Sequence, residues 1–308
     1  MTVKTPVVLI IFNRPETTKV VFDAIAAAQP EKLLIVADGP RSLDEASRCE
    51  KAREIIRGVN WACEVMENVS PHNLGCGRRV STGLDWVFSL VDEAIVLEDD
   101  CIPAPSFFTF CETLLQRFKD DERIMHINGN NFQFGVKRTE QSYYFSKYAH
   151  IWGWATWRRA WRHYDFQMRT WPQFKKTGMI DWVFDDPLES QYWRNNFDDA
   201  KSGRIDTWDY QWMYTCWHQG GLCVTPSSNL VSNVGFGTSA THTQGKSPLA
   251  ELPTEDIWEI SHPVFVVRHR AADHFTFDEV FGGKYMKGGR WRRSVLRRII
   301  GLVPARPL

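Results

Sequence analysis

Three carboxylates stand side by side at Glu98, Asp99 and Asp100. Packing three negative charges together is unfavourable without a counter-charge. A hard divalent cation, which takes carboxylate oxygens, is well suited to supply one. Acidic clusters are also ordinary turn material, so the triplet alone leaves both readings open. Asp206 and Asp209 flank an expected helix start at Thr207 and Trp208. A helix dipole favours an acid in its first turn, which accounts for Asp209 without any chemistry. Arg78 and Arg79 open another expected helix, where basic side chains oppose the dipole. A nearby anion would explain them, since amides at a helix start favour phosphate; a solvated surface pair is the alternative. His242 lies in a stretch rich in Gly, Ser and Thr, residues 232–242, of the kind that orders over a ligand. It reads as a metal ligand, a phosphate donor or a surface histidine, the last being the usual case for a lone histidine.

The elements that must position these groups follow from hydrophobic patterning. Val7 to Ile11 and Leu33 to Ala37 are buried-strand patterns, and a third strand is expected near residues 62–66. Helices are expected from residue 17 or 18 to about 28, stopped by Pro30, and over 43–57, closed by Gly58. Ala94 Ile95 Val96 Leu97 reads as a fourth strand, buried on both faces, running straight into the acidic triplet. Strand and helix alternate, so the fold class is α/β, a doubly wound, mostly parallel sheet with helices on both faces. Ligands of such sheets bind beyond the carboxyl ends of the strands. Phe12, Asn13, Arg14 and Asp38 sit at those ends, as does the triplet. Further helices are expected over 80–90, from Phe107 to Phe118, over 155–163, over 188–200 and from Asp206 onward. Short strands are expected over 124–128, 143–148 and 222–225.

At 308 residues, with 37 basic and 37 acidic side chains, no global field favours nucleic acid. Seven scattered cysteines form no CxxC pair, which suits free thiols in a reducing compartment. Neither GxxxxGK[ST] nor GxGxxG occurs. No apolar run reaches the length of a membrane span or signal segment, so the expected location is cytoplasmic. Of 14 tryptophans, ten fall between Trp152 and Trp217, and core filling is the default for most. From Lys284 to the end there are eight basic residues and no acidic one, with apolar residues at roughly helical spacing. Residues 284–303 therefore read as a basic amphipathic helix for an anionic membrane surface, with a solvated or partner-packed helix as the alternative.

Taken in order, these motifs resemble the GT-A-fold inverting glycosyltransferases, and more narrowly the N-acetylglucosaminyltransferase I family. Leu97 Glu98 Asp99 Asp100 with Ala104 Pro105 Ser106 Phe107 Phe108 is similar to that family's acidic metal motif and following helix. Trp152 Gly153 Trp154 resembles its glycine-tryptophan segment. Trp208 Asp209, then Trp212 Met213, is similar to the segment bearing its catalytic base, with spacing one residue longer. Gly221 to Pro226, then Phe236, Gly237 and His242, resembles the strand and closing loop after it. Asn73 Leu74 Gly75 is closer to bacterial inverting transferases.

The resemblance implies a metal-dependent transfer of a sugar, N-acetylglucosamine among the candidates, from a UDP-type nucleotide donor. The acceptor would be a glycan; the basic tail, if it meets a membrane, adds from location alone the expectation of a lipid-linked glycan of the cell envelope. It assigns the metal, Mn2+ or Mg2+, to Asp100, with His242 as a further candidate ligand. Phe12, Asn13, Arg14, Asp38, Arg78, Arg79, Glu98, Asp99, Gly237 and His242 would serve the donor. Asp209 would be the base, with Asp206 as the alternative. Trp152, Trp154 and Trp208 would lie on the acceptor side. Residues 1–245 would form the transferase domain, with 1–130 the nucleotide-sugar half and 131–245 the acceptor half; residues 246–308 would be an extension. Two rivals remain. A sugar nucleotidyltransferase needs a glycine-rich basic loop after the first strand, where Asn13 Arg14 Pro15 Glu16 stands. A carbohydrate-binding module would leave the triplet and Asp209 idle.

Overall fold

The computed structural model describes residues 2–236 and 247–287. Strands β1 (Val7–Ile11), β2 (Lys32–Ala37), β3 (Glu64–Val69) and β4 (Glu93–Glu98) alternate with helices α1 (Pro15–Ala28), α2 (Leu43–Ile56) and α3 (Gly75–Leu90). Next come β5 (Cys101–Pro103), α4 (Ser106–Phe118), β6 (Ile124–Asn128), β7 (Tyr143–Ser146) and β8 (Trp154–Trp157). The helices α5 (Arg158–Trp161), α6 (Trp171–Lys176), α7 (Ile180–Val183), α8 (Pro187–Lys201) and α9 (Asp209–His218) follow. Strands β9 (Leu222–Pro226) and β10 (Val231–Asn233) precede α10 (Arg270–Glu279) and α11 (Gly283–Lys287).

The main sheet has the order β3-β2-β1-β4-β8-β6-β9-β7. From β3 to β4 every pairing is parallel, while β8 and β7 run antiparallel to their neighbours. The expected doubly wound, mostly parallel α/β sheet is present. Its alternation explains why: Val7, Leu9 and Ile11 of β1 face a core layer with α1 and α4, whereas Val8 and Ile10 face the layer built on α3. A strand buried on both faces must be apolar where it is buried, as β1, β2 after Lys32 and the inner part of β4 are.

Two expectations change. Residues 155–163 were expected to be helical; instead β8 inserts between β4 and β6, and only α5 remains helical. Gly153, at φ +67°, turns the chain into that slot, and Trp154 and Ala155 fill it at zero exposure. The helix expected over 80–90 begins a turn earlier, at Gly75, so Arg78 and Arg79 follow the helix start rather than forming it. The basic segment beyond Lys287 and the stretch carrying Gly237 and His242 lie outside the described residues. No described helix is long and apolar enough to cross a membrane.

The tryptophan-rich half is knitted by aromatic stacking around one histidine. Trp154 stacks on His126 at 5.0 Å and on Trp208 at 5.5 Å, and Trp212 Nε1 donates to His126 Nδ1 at 3.1 Å. With Nδ1 accepting, His126 Nε2 carries the proton and donates to the His150 carbonyl at 2.9 Å. Burial pushes His126 down to about 4 and His150 to about 3, so both rings are neutral.

An unfolded histidine takes up its proton near 6.5, so each ring costs stability as pH falls from 6.5 toward 4. At pH 5 the cost is about 2 kcal/mol for each ring. Burial raises Asp99 and Asp273 to about 6, and these carboxyls act in the opposite sense, gaining as pH falls. The measurement is therefore comparative. Between pH 7 and pH 5, His150→Phe should lose about 2 kcal/mol less than the parent in urea unfolding. Identical pH dependence would mean that the ring is not held neutral.

Candidate active site

At the carboxyl ends of β1, β2 and β4 lies a cleft of about 370 Å³. Its walls include Phe12, Arg14, Asp38, Asn73, Arg79, the acidic triplet, Trp152, Asp206 to Tyr210, Asn233, Gly235 and Phe236. Arg14, one turn past β1, is the centre of its acidic side. Its guanidinium reaches Asp99 Oδ1 at 2.6 Å and Asp100 Oδ2 at 2.7 Å. The other Asp99 oxygen accepts from the Phe12 amide at 3.2 Å. Burial alone would lower the Arg14 pKa, but Asp99, Asp100 and Glu98 more than reverse that, and it is raised.

Glu98 has no such partner. It ends β4 beneath Asp99 and Asp100, and its buried Oε1 makes no hydrogen bond. Burial, then the charges of Asp100 and Asp99, push its carboxyl up to about 8. Asp100 is held from behind: Asn233 Nδ2 lies 3.4 Å from its Oδ1, and the Val234 amide donates to its carbonyl at 2.9 Å. β10 thus pairs with β5 to brace the acidic turn. A Cβ on Gly235 would sit 1.9 Å from Asp100 Oδ2, so only glycine lets the chain pass there.

The opposite wall comes from the segment entering α9. Asp206 Oδ1 accepts from the Gly77 amide at 3.0 Å and so satisfies the first turn of α3. The fit is close: a Cβ on Gly75 would lie 2.6 Å from Asp206 Oδ2, and one on Gly77 2.6 Å from Oδ1. Gly75 also has φ +77°. On the next residue, the Thr207 hydroxyl donates to Asp209 Oδ1. Asp209 is the first residue of α9, at the positive end of the helix dipole.

The remaining expected residues divide. Asp38 lines the cleft, but its oxygens accept from the Gly39 and Leu74 amides at 2.8 and 3.0 Å and from Asn73 Nδ2 at 3.0 Å. It therefore ties β2 to the loop before α3. Burial raises its pKa, against the pull of those amides. Arg79 is buried, its Nε on the Ala37 carbonyl at 3.0 Å and its Nη2 on Asn68 Oδ1 at 2.8 Å. Arg78 is exposed and does not line the cleft. Asn13 turns to Glu45 at 2.9 Å and is likewise away from the lining. Trp152 faces the cleft, edge-on to Phe236 at 5.4 Å. Trp208 lines it from a buried position, and Trp154 lies beneath in the stack. Arg41, Asn73, Cys76, Asn233 and Gly235 line the cleft without having been assigned a site role, although Asn73 belongs to a quoted motif and Asn233 and Gly235 to the 232–242 stretch. Of these, Asn73 and Gly235 had a readable signal, as turn residues next to expected site segments.

Replacing a helical glycine by alanine ordinarily stabilises by about 0.5–1 kcal/mol. Gly77→Ala should do the reverse, because its Cβ would meet Asp206 Oδ1 and also the Thr207 carbonyl at 2.8 Å. We expect a loss of about 1–3 kcal/mol in urea unfolding. A variant more stable than the parent would mean that α3 and the 206–207 segment are not in contact.

No family model and no curated protein matches this sequence. Among solved structures, a UDP-glucose pyrophosphorylase complexed with UDP-glucose aligns at a TM-score of 0.31 and 11% identity, over 52% of this chain and 78% of that one. Residues 1–349 of S. aureus TarS align at a TM-score of 0.35 and 12% identity, over 53% of this chain and 49% of that one. Likenesses at these scores carry no argument about function, and the strand order and register establish the fold class by themselves.

Proposed function

We propose that this chain is an inverting glycosyltransferase that moves a sugar from a nucleoside-diphosphate donor to a hydroxyl of a glycan or lipid-linked glycan. The observation that carries the reading is the two-sided cleft: Arg14 with the acidic triplet on one wall, Asp209 at the start of α9 on the other. A UDP-sugar is the donor we favour, from the motifs at Leu97 to Asp100 and Trp208 to Met213.

The residues fit a divalent ion of the kind that leans on its substrate. Among the described residues no group of three or more His, Cys, Asp or Glu side chains is arranged to hold one. Asp100 faces the cleft, however, and Glu98 leaves a buried oxygen without a hydrogen bond beside it. One or two carboxylates completed by phosphate oxygens and waters is the usual arrangement for magnesium. Asp100 would hold Mn2+ or Mg2+, which when bound would neutralise charge on the leaving diphosphate.

The chain's own groups account for the other requirements. Arg14 is placed to hydrogen-bond phosphate oxygens, once its bonds to Asp99 and Asp100 rearrange. Asp209 takes the proton of the acceptor hydroxyl as that oxygen bonds to the anomeric carbon. The bond from that carbon to the diphosphate breaks, and its electron pair leaves with the phosphate. Attack from the face opposite the leaving group inverts the anomeric centre. Thr207, donating to Asp209 Oδ1, fixes the direction of the carboxylate. Asp206 is occupied at Gly77, which favours Asp209 over Asp206 as the base. Trp152 and Phe236 offer aromatic faces on which a sugar ring can stack.

The deciding experiment is a turnover assay across nucleotide-sugar donors with manganese present. Asp209→Asn should retain donor binding but lose turnover by at least ~10²-fold. Asp206→Asn, which keeps an acceptor for the Gly77 amide, should retain most of it. Unchanged turnover in Asp209→Asn would remove the base. Donor binding without turnover in the parent chain, for every donor and acceptor tried, would favour a binding protein.

The metal is tested separately by chelation. Activity should vanish in EDTA and return with excess Mn2+ or Mg2+; full activity in EDTA would leave the diphosphate to the cleft's own arginines and withdraw the role of Asp100.

A further inference from the structure

Behind the wall that bears Asp209 lies a second cavity, of about 380 Å³. Small-molecule sites span roughly 300–1,000 Å³, so the space is large enough to hold one. Phe166 and Gln167 form one side, Lys201 at the end of α8 another, and Ile205, Asp206 and Gln211 the third. Ile205 and Asp206 also line the cleft, so the two spaces share that segment as a wall. Successive helix residues turn by about 100°, which puts Gln211 about 200° round α9 from Asp209. Asp209 accordingly lines the cleft, and Gln211 lines the second cavity.

Each side of this cavity is held in place. Asp165 accepts from the Gln167 and Arg169 amides at 3.1 and 2.7 Å, which fixes the turn carrying Phe166 and Gln167. Lys201 Nζ reaches across from α8 to the Gln167 carbonyl at 2.7 Å. Asp206 is pinned at the Gly77 amide. Gln211 is 2% exposed, and its Nε2 donates to the Thr207 carbonyl at 2.8 Å. Its Oε1 is buried and has no hydrogen-bond partner among the described residues. Native structures rarely leave such an atom unpaired, and a ligand hydroxyl in the cavity would supply the missing donor.

The lining selects the class of ligand. Its polar groups are mostly acceptors: the Gln211 amide oxygen, the Gln167 carbonyl and the Asp206 carboxylate. An anion such as phosphate would face those oxygens and a like charge. An apolar ligand would leave Gln211 Oε1 unpaired. A cation would find one carboxylate, already bonded to Gly77, and the opposing ammonium of Lys201. A neutral sugar ring meets each demand. Its hydroxyls donate to the carboxylate and the amide oxygen and accept from Lys201, while its C–H face packs on Phe166 and Ile205. We propose that the cavity holds a neutral sugar unit of the acceptor glycan, beyond the unit that reacts in the cleft. Sugar binding follows from the cavity alone; that the sugar belongs to an acceptor rests on the transferase reading. Gln211 would then contact the bound glycan and, through the Thr207 carbonyl, the turn that presents Asp209.

Equilibrium binding of cellobiose, chitobiose and lactose to the full chain, without nucleotide, reads the cavity directly. At least one should bind, and inorganic phosphate should not displace it. Phe166→Ala and Lys201→Met, on separate elements, should each weaken that binding by ~10-fold. Neither should move the urea midpoint, since Lys201 is exposed and Phe166 belongs to neither core layer. Gln211→Met, close in volume, should weaken binding as well. No disaccharide bound, equal affinity in the parent and all three variants, or displacement by phosphate would overturn the proposal. Turnover separates the two readings. Acceptors of two or three sugar units should have a KM about tenfold below that of a single sugar, an advantage lost in Lys201→Met at unchanged kcat. Transfer with no advantage for longer acceptors would remove the acceptor role. Disaccharide binding that the variants weaken, with no transfer to any acceptor, would overturn the transferase reading and support the sugar site.

Discussion

The cleft depends on one electrostatic constraint, the disposal of negative charge where β4 leaves the core. A parallel sheet delivers the carboxyl ends of its central strands to the same place. Here that placement brings Glu98, Asp99 and Asp100 together beside the end of β1. Arg14 answers two of the three, bonding Asp99 and Asp100 with separate nitrogens. Its planar fork suits this task, since one guanidinium can meet two carboxylates at once. Glu98 is left over, driven up to about 8 first by burial and then by its neighbours. The arrangement has more acid than its own cation neutralises. A site in that condition is receptive to further positive charge.

The second wall is tied to the first by close steric packing together with one hydrogen bond. Gly75 and Gly77 strip the first turn of α3 of side chains, and Asp206 fills the space they leave. α3 belongs to the parallel half of the sheet, while Asp206 leads into α9 on the other side. The seam therefore joins the segment bearing Asp209 to the half that bears the acidic triplet. Beneath it, Trp208 stacks on Trp154, and Trp154 on His126, whose ring is fixed by Trp212 and the His150 carbonyl. Such a stack is stiff because each ring is buried and each polar nitrogen of His126 is partnered. The start of α9 inherits that stiffness.

The legible parts of this molecule were those in which one local pattern has one solution. Val7 to Ile11 and Ala94 to Leu97 could only be strands buried on both faces, and an acidic run after such a strand could only lie at a strand end. β8 was not legible. Trp154 Ala155 Thr156 Trp157 followed by two arginines suits a helix locally, and only pairing with β4 and β6 makes it a strand. Arg79 shows the same limit for side chains. Its type and position suggested an anion, but its partners are Ala37 and Asn68, brought to it by the fold. A basic residue that satisfies backbone carbonyls looks, in sequence, like one that binds phosphate. Asp206 and Asp209 could not be told apart by spacing, and a hydrogen bond to Gly77 separates them.

The division of labour among the arginines follows from the same physics. Arg14 and Arg79 both stand near the cleft, and both are largely buried. Burial lowers the Arg79 pKa: its hydrogen-bond partners are uncharged oxygens, and the charge of Asp38 does not make up for burial and the nearby Arg53. For Arg14 the same burial is outweighed by carboxylates, and its pKa rises. A buried guanidinium bonded to fixed backbone and amide oxygens cannot leave without stranding its own donors, which costs about 1–3 kcal/mol for each buried group left unpaired. One bonded to carboxylates can leave if another cation takes its place. Arg79 is thus fixed in the frame, and Arg14 is exchangeable. That difference is what would let an ion and a diphosphate enter a cleft whose resting charge is already partly neutralised.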